Sequence, residues 1–302
     1  MIIPSNLKKG DTIGIVCPSG FMPIENVQAC LDVLQQWDYN IKIGKTVGHQ
    51  FNYFSGTDEE RLDDIQYMLD DAEVKAIFCA RGGYGLSRII DKIDFTTFLQ
   101  QPKWIIGYSD ITVLHAHLNS VLHVASIHSP MASAFNDNGY QNKYVQSLKK
   151  VLSGECYQHS SSSHPFNKKG ITTAELVGGN LALLAHLVGS VSEPDTDNKI
   201  LFIEDIGEYI YNIDRMMLQL KRAGKLDNLS GLIVGSFTEM KDTTVPFGQT
   251  VYECIYDKVK EYSYPVCFDF PVGHIDKNYA LKCGLKHRLS VEENMVSLQE
   301  HA

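Results

Sequence analysis

The sequence predicts an α/β protein of two domains, the first built on a mostly parallel sheet with flanking helices and the second a smaller α/β unit. Three observations predict this class. Strand-like and helix-like segments alternate along the chain, and strand segments such as "VKAIFCA" and "KWIIGYS" are continuous apolar runs. Such runs are typical of parallel sheets that are covered on both faces. The 302 residues also suffice for two domains, each with its own core.

The first domain is predicted over residues 1–152. Its first strand is "TIGIVCPS", and apolar residues follow at helical spacing in "MPIENVQACLDVLQQW". A second helix is predicted for "TDEERLDDIQYMLDD", because Thr57 and the acidic residues behind it are typical of a helix start. Two strands, a helix and a third strand then follow in "VKAIFCA", "KWIIGYS", "DITVLHAHLNSVL" and "VASIHS".

Residues 153–170 are predicted to form an interdomain linker, because the segment is rich in serine and contains glycine, proline and charged residues. The second domain is predicted over residues 171–302. Its segments, in order, are "TTAELVGGNLALLAHLVGS", the strand "KILFIED", the helix "IYNIDRMMLQLKRAGKL", the strand "LSGLIVGSF", the helix "VYECIYDKVKEY", the run "PVCFDFPVGH" and a closing hairpin in "RLSVEENMVSLQ".

Composition and charge argue against several classes of function. The formal net charge is −9 and the chain has no basic run, which argues against nucleic acid or an anionic membrane surface as a partner. The first residues lack the apolar core of a signal peptide, and no apolar run reaches the roughly 18 residues of a membrane span. We therefore expect a cytoplasmic protein.

The seven cysteines are scattered, without a C-x-x-C pair or a Cys/His metal spacing. This distribution predicts reduced and mostly buried thiols, and we expect neither a metal nor a cofactor. The glycine fingerprint of dinucleotide binding does not follow the first strand, which argues against a nucleotide-dependent dehydrogenase.

Ser109 is a candidate nucleophile. In open α/β sheets, active sites form at the carboxyl ends of strands, and Ser109 follows the predicted strand "KWIIG" in the pattern G-x-S-D. A sharp turn there would expose the hydroxyl and direct the backbone N–H of Asp110 toward an oxyanion. The second glycine of the G-x-S-x-G motif is absent, however, so Ser109 or Asp110 also fits a plain helix cap.

Gly82 and Gly83, in "ARGGYG", follow another predicted strand. Adjacent glycines let backbone amides approach an anion closely, which suits an oxyanion hole. The same composition fits a phosphate cradle or a simple turn, although neither a G-x-G-x-x-G nor a Walker motif is present.

Glu204 and His274 are the candidate acid and base. Glu204 is the first residue past the apolar run of "LFIED", with Asp205 and Glu208 as rivals, and all three also fit solvated loop acids. His274 follows a strand and a glycine in "FPVGH", which makes it the favoured general base. The competing histidines are His115 and His117 on the helix after Ser109, His128 as a pocket-lining candidate, His186 in a core helix, and His159 and His164 in the linker.

Together these segments resemble the LD-carboxypeptidase family of serine peptidases, which includes muropeptide LD-carboxypeptidases and microcin C self-immunity peptidases. The markers of that family occur here in family order, as "ARGGYG", "IIGYSDIT", "IHSPM", "LVGGNLALL", "LFIEDIGE", "IDRMMLQL" and "PVGHIDKN". Two segments depart from it: His128-Ser129-Pro130-Met131 replaces H-G-P-M, and "LKCG" (281–284) replaces L-P-x-G. The resemblance implies a flavodoxin-like or glutamine-amidotransferase-like first domain.

The resemblance also implies a triad, with Ser109 as nucleophile, His274 as general base and then acid, and Glu204 as the orienting carboxylate. The oxyanion hole would combine the N–H of Asp110 with one from the Gly82–Gly83 loop. The first domain would supply the serine, the second would supply the acid and base, and no metal would be needed. Family members are commonly homodimers, and we expect the same here.

The implied reaction hydrolyses the amide bond between an L-configured centre and a C-terminal D-amino acid, releasing D-alanine from a murein tetrapeptide during cell-wall recycling. The main alternative is a microcin C self-immunity activity on peptidyl or aminoacyl adenylate analogues. A third possibility is a non-catalytic peptide-binding module. Candidate substrate contacts are Arg81, Tyr108, Asn180 and Lys277, and surface or helix-end roles also fit such residues.

Overall fold

The structure, a computed structural model, describes residues 1–136 and 138–301. The chain forms two compact units, one comprising Met1–Glu155 and Tyr279–Lys282, the other Cys156–Asn278 and Cys283–Ala302. The α/β class predicted from the sequence is confirmed. The sequence assigned all of 171–302 to the second domain, whereas in the structure residues 279–282 belong to the first unit.

In the first unit strands and helices alternate along the chain, as the sequence pattern predicted. The strands are β1 (Thr12–Val16), β2 (Asn40–Ile43), β3 (Val74–Cys79), β4 (Trp104–Gly107), β5 (Ser126–His128), β6 (Gln158–Ser162), β7 (Gly170–Asn180), β8 (Ile200–Ile206), β9 (Gly231–Thr238), β10 (Val266–Cys267), β11 (Leu281–Cys283), β12 (Lys286–Val291) and β13 (Met295–Glu300). The helices are α1 (Glu25–Gln36), α2 (Asp58–Asp70), α3 (Thr96–Gln100), α4 (Thr112–His117), α5 (Lys143–Ser153), α6 (Leu181–Leu187), α7 (Ile210–Arg222) and α8 (Val251–Val259).

The sheet of the first unit has the strand order β11-β5-β4-β3-β1-β2. Strands β1 to β5 pair in parallel, and their order 2-1-3-4-5 is that of flavodoxin-like sheets. In such a sheet the connections leave in opposite directions from β1 and β3. Ligands bind at this switch point, outside the carboxyl ends of the strands. The loops after β1, β3 and β4 all lie at that edge.

Local sequence explains how these elements start and pack. The Thr57 hydroxyl accepts a hydrogen bond from the backbone N–H of Glu60, and the Glu60 carboxylate accepts one from the N–H of Thr57. This capping box starts α2 where the sequence predicted a helix start. Strand β4 is fully buried, and β3 is buried except for Lys75, as expected for strands covered on both faces.

The sheet of the second unit has the order β10-β9-β8-β7-β12-β13-β6. Strands β7 to β10 pair in parallel, whereas β7, β12, β13 and β6 pair antiparallel. The predicted hairpin is present as β12 and β13. Apolar side chains from β7, β8 and β9 and from α6, α7 and α8 pack together as the core of this unit.

The interpretation of 153–170 as a linker needs correction. Within this segment Gln158–Ser162 forms β6, an edge strand whose Ser160 pairs with Ser297 of β13. Serine is a poor indicator of a strand, which is why composition suggested a linker. Backbone pairing with β13 nevertheless orders the segment, and His159 becomes buried.

Six of the seven cysteines are buried, while Cys156 is exposed, and all seven thiols are free. No helix within residues 1–136 and 138–301 is both long enough and apolar enough to cross a membrane. The same residues contain no group of three or more His, Cys, Asp or Glu side chains arranged to hold a metal ion.

Candidate active site

Ser109 sits in a strained turn at the end of β4. Its φ angle is 65°, in the left-handed region, where a residue other than glycine is destabilised by roughly 1–2 kcal/mol. Gly107 precedes the turn, and a Cβ at that position would lie 2.8 Å from Cγ1 of Ile111. Neither this turn nor the start of α4 has a side-chain cap hydrogen bond. The geometry therefore favours the nucleophile interpretation of Ser109 over the helix cap.

His115 fixes the strand end that carries this turn. Its Nε2 lies 2.9 Å from the carbonyl oxygen of Gly107, and its Nδ1 lies 2.9 Å from Oγ of Ser126. A carbonyl only accepts, so Nε2 carries the proton and Nδ1 accepts from the serine hydroxyl. Burial lowers the pKa of His115 to about 4, against the raising effect of the Gly107 hydrogen bond. The imidazole is therefore neutral near pH 7 and serves as a structural clamp.

The Asp110 side chain joins three loops at the carboxyl edge of the sheet. Its Oδ2 accepts hydrogen bonds from Oγ of Ser19 (2.6 Å) and from the backbone N–H of Leu86 (2.9 Å). Ser19 follows β1, and Leu86 follows the glycine loop after β3. Because Oδ2 holds these loops and neither the turn nor α4 has a side-chain cap hydrogen bond, the Asp110 side chain is not a helix cap, whereas its backbone N–H stays a candidate oxyanion donor.

Gly82 lies directly against the candidate nucleophile, Ser109. A Cβ at Gly82 would lie 2.8 Å from Cβ of Ser109, 3.0 Å from its Oγ and 3.2 Å from the backbone nitrogen of Asp110. Gly83 follows with φ of 102°, a conformation suited to glycine. The structure thus brings together the serine and the three residues predicted for the oxyanion hole, Asp110, Gly82 and Gly83.

We expect Gly82→Ala to reduce kcat/KM by about 100-fold or more, the effect of losing one oxyanion donor. The added methyl group cannot fit against Ser109, so the loop must move. Steady-state kinetics would measure this loss. Gly14→Ala is the matched control, since the atoms nearest to its methyl group would belong to the side chains of Met68 and Val74 and not to the candidate site. Retention of wild-type kcat/KM by Gly82→Ala would contradict the role of this loop.

The candidate acid and base are paired within the second unit. Nδ1 of His274 lies 2.6 Å from Oε2 of Glu204, and the Glu204 side chain is completely buried. Strand β8 shifts register against β9 between Ile203 and Asp205, as in a β-bulge, which re-aims side chains beside many active sites. Opposite the bulge, the N–H of Ser236 donates to the carbonyl of Val272 and anchors the segment that leads to His274.

Close packing at Gly273 sets this pair in place. A Cβ at Gly273 would lie 2.7 Å from Oε2 of Glu204 and 2.5 Å from Oγ of Ser236, so only glycine fits. The backbone N–H of Gly273 donates to Oδ1 of Asn278, and the hydroxyl of Thr238 donates to the carbonyl of His274. Neither Asn278 nor Thr238 is predictable from the sequence as part of the site, because their contacts depend on tertiary structure.

Hydrogen-bond partners distinguish Glu204 from the two other candidate acids, Asp205 and Glu208. Asp205 accepts hydrogen bonds from Nδ2 of Asn180 and from the backbone N–H of Ala182, so it faces the start of α6. Burial, followed by the charge of Glu204, raises the pKa of Asp205 to about 6. Glu208 accepts from the side chain of Asn212. Glu204 is therefore the one of the three acids that pairs with His274.

The pKa of His274 is raised above the usual histidine value. Burial lowers it, but the hydrogen bond and charge of Glu204, with smaller contributions from Asp205 and Glu239, outweigh burial.

A general base must be neutral in the free enzyme, so kcat/KM should increase with pH through the raised pKa of His274. We expect Glu204→Gln to move this acid limb to lower pH, because burial would then act with less opposition. A pH–rate profile that does not move would contradict the coupling.

The candidate substrate contacts lie in different surroundings. Arg81 is exposed and donates to the carbonyl of Phe21, and the rings of Tyr108 and His128 pack edge to face. Asn180 caps α6 through Leu183, in agreement with the helix-end role that the sequence also allowed. Lys277 is exposed on the loop after His274.

Two family models match the chain, one described as the LD-carboxypeptidase N-terminal domain over residues 13–129 and the other as the C-terminal domain over residues 173–289. Among relatives, the chain is 34% identical over 301 residues to a Bacillus subtilis (strain 168) protein named "Probable murein peptide carboxypeptidase". That match covers 98% of this chain and 94% of the relative.

Two solved structures have closely similar folds. One is the muramoyltetrapeptide carboxypeptidase from Oxalobacter formigenes, with a TM-score of 0.87 and 28% identity over 96% of this chain and 99% of that one. The other is a mutant of the microcin C7 self immunity protein MccF in complex with adenosine monophosphate, with a TM-score of 0.87 over 100% and 99% of the two chains. At 22% identity this second likeness shows the fold alone.

Proposed function

Because the chain belongs to the LD-carboxypeptidase family, we propose that it hydrolyses the amide bond of murein tetrapeptides that joins an L-configured centre to the C-terminal D-alanine. The observation that carries the proposal is the hydrogen bond between Nδ1 of His274 and the buried carboxylate of Glu204. A module that only binds peptides has no use for an imidazole oriented in this way. A serine hydrolase that uses a serine, histidine and acid triad requires one.

In the proposed mechanism the Glu204 carboxylate accepts the Nδ1–H hydrogen bond of His274, which leaves Nε2 as the general base. Nε2 takes the proton of the Ser109 hydroxyl as its oxygen attacks the amide carbon. The backbone N–H of Asp110 and one from the Gly82–Gly83 loop stabilise the oxyanion. His274 then protonates the departing amine of D-alanine, and water, activated by His274, hydrolyses the serine ester.

Mass spectrometry after incubation with murein tetrapeptide tests this activity. We expect the loss of one alanine residue and the appearance of free D-alanine, with or without a chelator. A tetrapeptide ending in L-alanine is the stereochemical control and should stay intact. If wild-type protein leaves the D-alanine form intact as well, the proposed function is wrong.

The microcin-type alternative predicts a different substrate. A parallel reaction with aspartyl sulfamoyl adenosine, the ligand in another solved structure of the microcin C7 self immunity protein MccF, tests it directly. Cleavage of that compound without release of D-alanine from tetrapeptide would favour the alternative.

We also propose that the protein is a cytoplasmic homodimer, as the family resemblance implies. Light scattering coupled to size exclusion should give twice the 33.9 kDa mass of one chain. Cell fractionation tests the location.

A further inference from the structure

Three aromatic side chains form a surface patch on the first unit, which we call the aromatic rim: the exposed Tyr53 and Tyr84 and the half-buried Phe54. The ring of Phe54 lies 5.4 Å from that of Tyr53 and 6.1 Å from that of Tyr84, measured between centroids. Tyr53 and Tyr84 are 54% and 49% exposed. Single exposed aromatic residues are common, but a contiguous cluster of them marks a binding surface.

The aromatic rim adjoins the loop that contacts the candidate nucleophile. The Tyr53 hydroxyl oxygen lies 2.8 Å from the position that a Cβ of Gly83 would take, and the preceding residue, Gly82, contacts Ser109. Residues 20 and 21 fasten the two loops together: the N–H of Gly20 donates to the carbonyl of Gly82, and the N–H of Phe21 donates to the carbonyl of Tyr53. A ligand held at Ser109 would therefore extend onto the rim.

Two arginine side chains pack against the Phe54 ring and hold the aromatic rim in position. The guanidinium carbon of Arg61 lies 4.8 Å from the ring centroid of Phe54, and that of Arg88 lies 5.6 Å from it. Asp58 forms ion pairs with both arginines, and the Arg61 side chain is completely buried. An aromatic surface fixed in this way loses little conformational entropy when it binds a ligand.

We propose that the aromatic rim binds the peptide stem on the acyl side of the scissile bond, an inference that rests on the proposed function. The leaving side of a tetrapeptide is a single D-alanine, so the remaining stem residues lie on the acyl side. An extended chain advances about 3.3–3.6 Å per residue, so two stem residues span neighbouring rings of the rim. Their methylene groups suit the ring faces.

The positive charge of Arg81, beside the aromatic rim, also suits a peptide stem as the ligand. Arg81 lies next to Gly20, with Nε 3.5 Å from the position of a Gly20 Cβ. Among the described residues Arg81 forms no ion pair, although the chain carries a net charge of −9. Nη1 donates to the carbonyl of Phe21, which leaves the other guanidinium donors for a free carboxylate of the stem.

The test compares two substrates that contain the same scissile bond, the full tetrapeptide and an N-acetylated dipeptide ending in D-alanine. We expect Tyr53→Ala and Tyr84→Ala each to lower kcat/KM for the tetrapeptide by about 10-fold and for the dipeptide by less than about twofold. Tyr53→Phe keeps the ring and should retain most of the activity toward the tetrapeptide. Tyr67→Ala is the matched control, because Tyr67, on α2, is similarly exposed at 56% but packs against Lys42 of β2.

Four results would overturn the inference. Equal losses on both substrates would mean that the tyrosines only support the catalytic loop. No loss on either substrate would mean that the rim is not used. A third substrate, the tetrapeptide joined to its muramoyl sugar, separates sugar from stem: a loss confined to this substrate would assign the rim to the sugar instead of the stem. If wild-type protein releases D-alanine from neither substrate, the proposed function itself fails. If wild-type protein is active but the rim variants behave like the control, only the inference about the rim fails.

Discussion

Ser109→Ala should abolish D-alanine release, with a decrease in kcat of about 10⁶-fold, the loss seen when a serine hydrolase loses its nucleophile. Alanine keeps the Cβ and the strained left-handed turn at φ of 65°, so the folded structure should be retained. Quantitative D-alanine assays with circular dichroism and thermal unfolding would check both parts. This result would also exclude the peptide-binding module, in which the serine has no covalent role.

Ser133→Ala is the matched control for this substitution, since Ser133 is an exposed serine of the same unit. It should retain wild-type kcat. Comparable turnover by Ser109→Ala and wild type would show that another group attacks the amide. Ser109→Gly adds a second measurement, because glycine relieves the left-handed strain while removing the hydroxyl. Its kcat should fall as far as that of the alanine variant.

His274→Ala should lower kcat by about 10⁶-fold, whereas Glu204→Gln should lower it by only about 10⁴-fold. Without the imidazole, no base removes the Ser109 proton. A glutamine at 204 can still hold the imidazole through a hydrogen bond, but it no longer stabilises the imidazolium that forms in the transition state. Single-turnover kinetics at pH values on the plateau of each profile would measure the two losses.

Glu208→Gln is the control for the carboxylate, because Glu208 lies on the same segment and bonds Asn212. Its kcat should match that of the wild type. A larger loss for Glu208→Gln than for Glu204→Gln would transfer the orienting role to the rival acid. A loss for Glu204→Gln equal to that of His274→Ala would mean that the carboxylate has more than an orienting role.

Particular elements show how far local sequence information reached. Strands β1, β3, β4 and β8 were predictable because buried parallel strands are continuous apolar runs. Strand β6 was missed because its order comes from pairing with β13, which lies far away in the chain. The return of residues 279–282 to the first unit was missed for the same reason.

In the candidate site, too, some residues could be predicted from local sequence and others could not. Ser109, Gly82 and Gly83 could be proposed from local patterns, since a glycine or a serine after a strand marks a tight turn. The choice between Glu204 and Asp205 could not be made from local patterns, because both residues follow the same apolar run and only their contacts in the structure differ. The clamp formed by His115 and the aromatic rim were likewise invisible in the sequence.

The sequence by itself determined the alternation of strands and helices, the class of fold and the residue types available for chemistry, because burial patterns and turn residues act over a few neighbouring positions. Only the tertiary structure decided which carboxylate pairs with His274, what Asp110 and His115 hold, and which aromatic side chains adjoin the serine loop. Those outcomes depend on contacts between residues far apart in the chain, such as the 70 positions that separate Glu204 from His274.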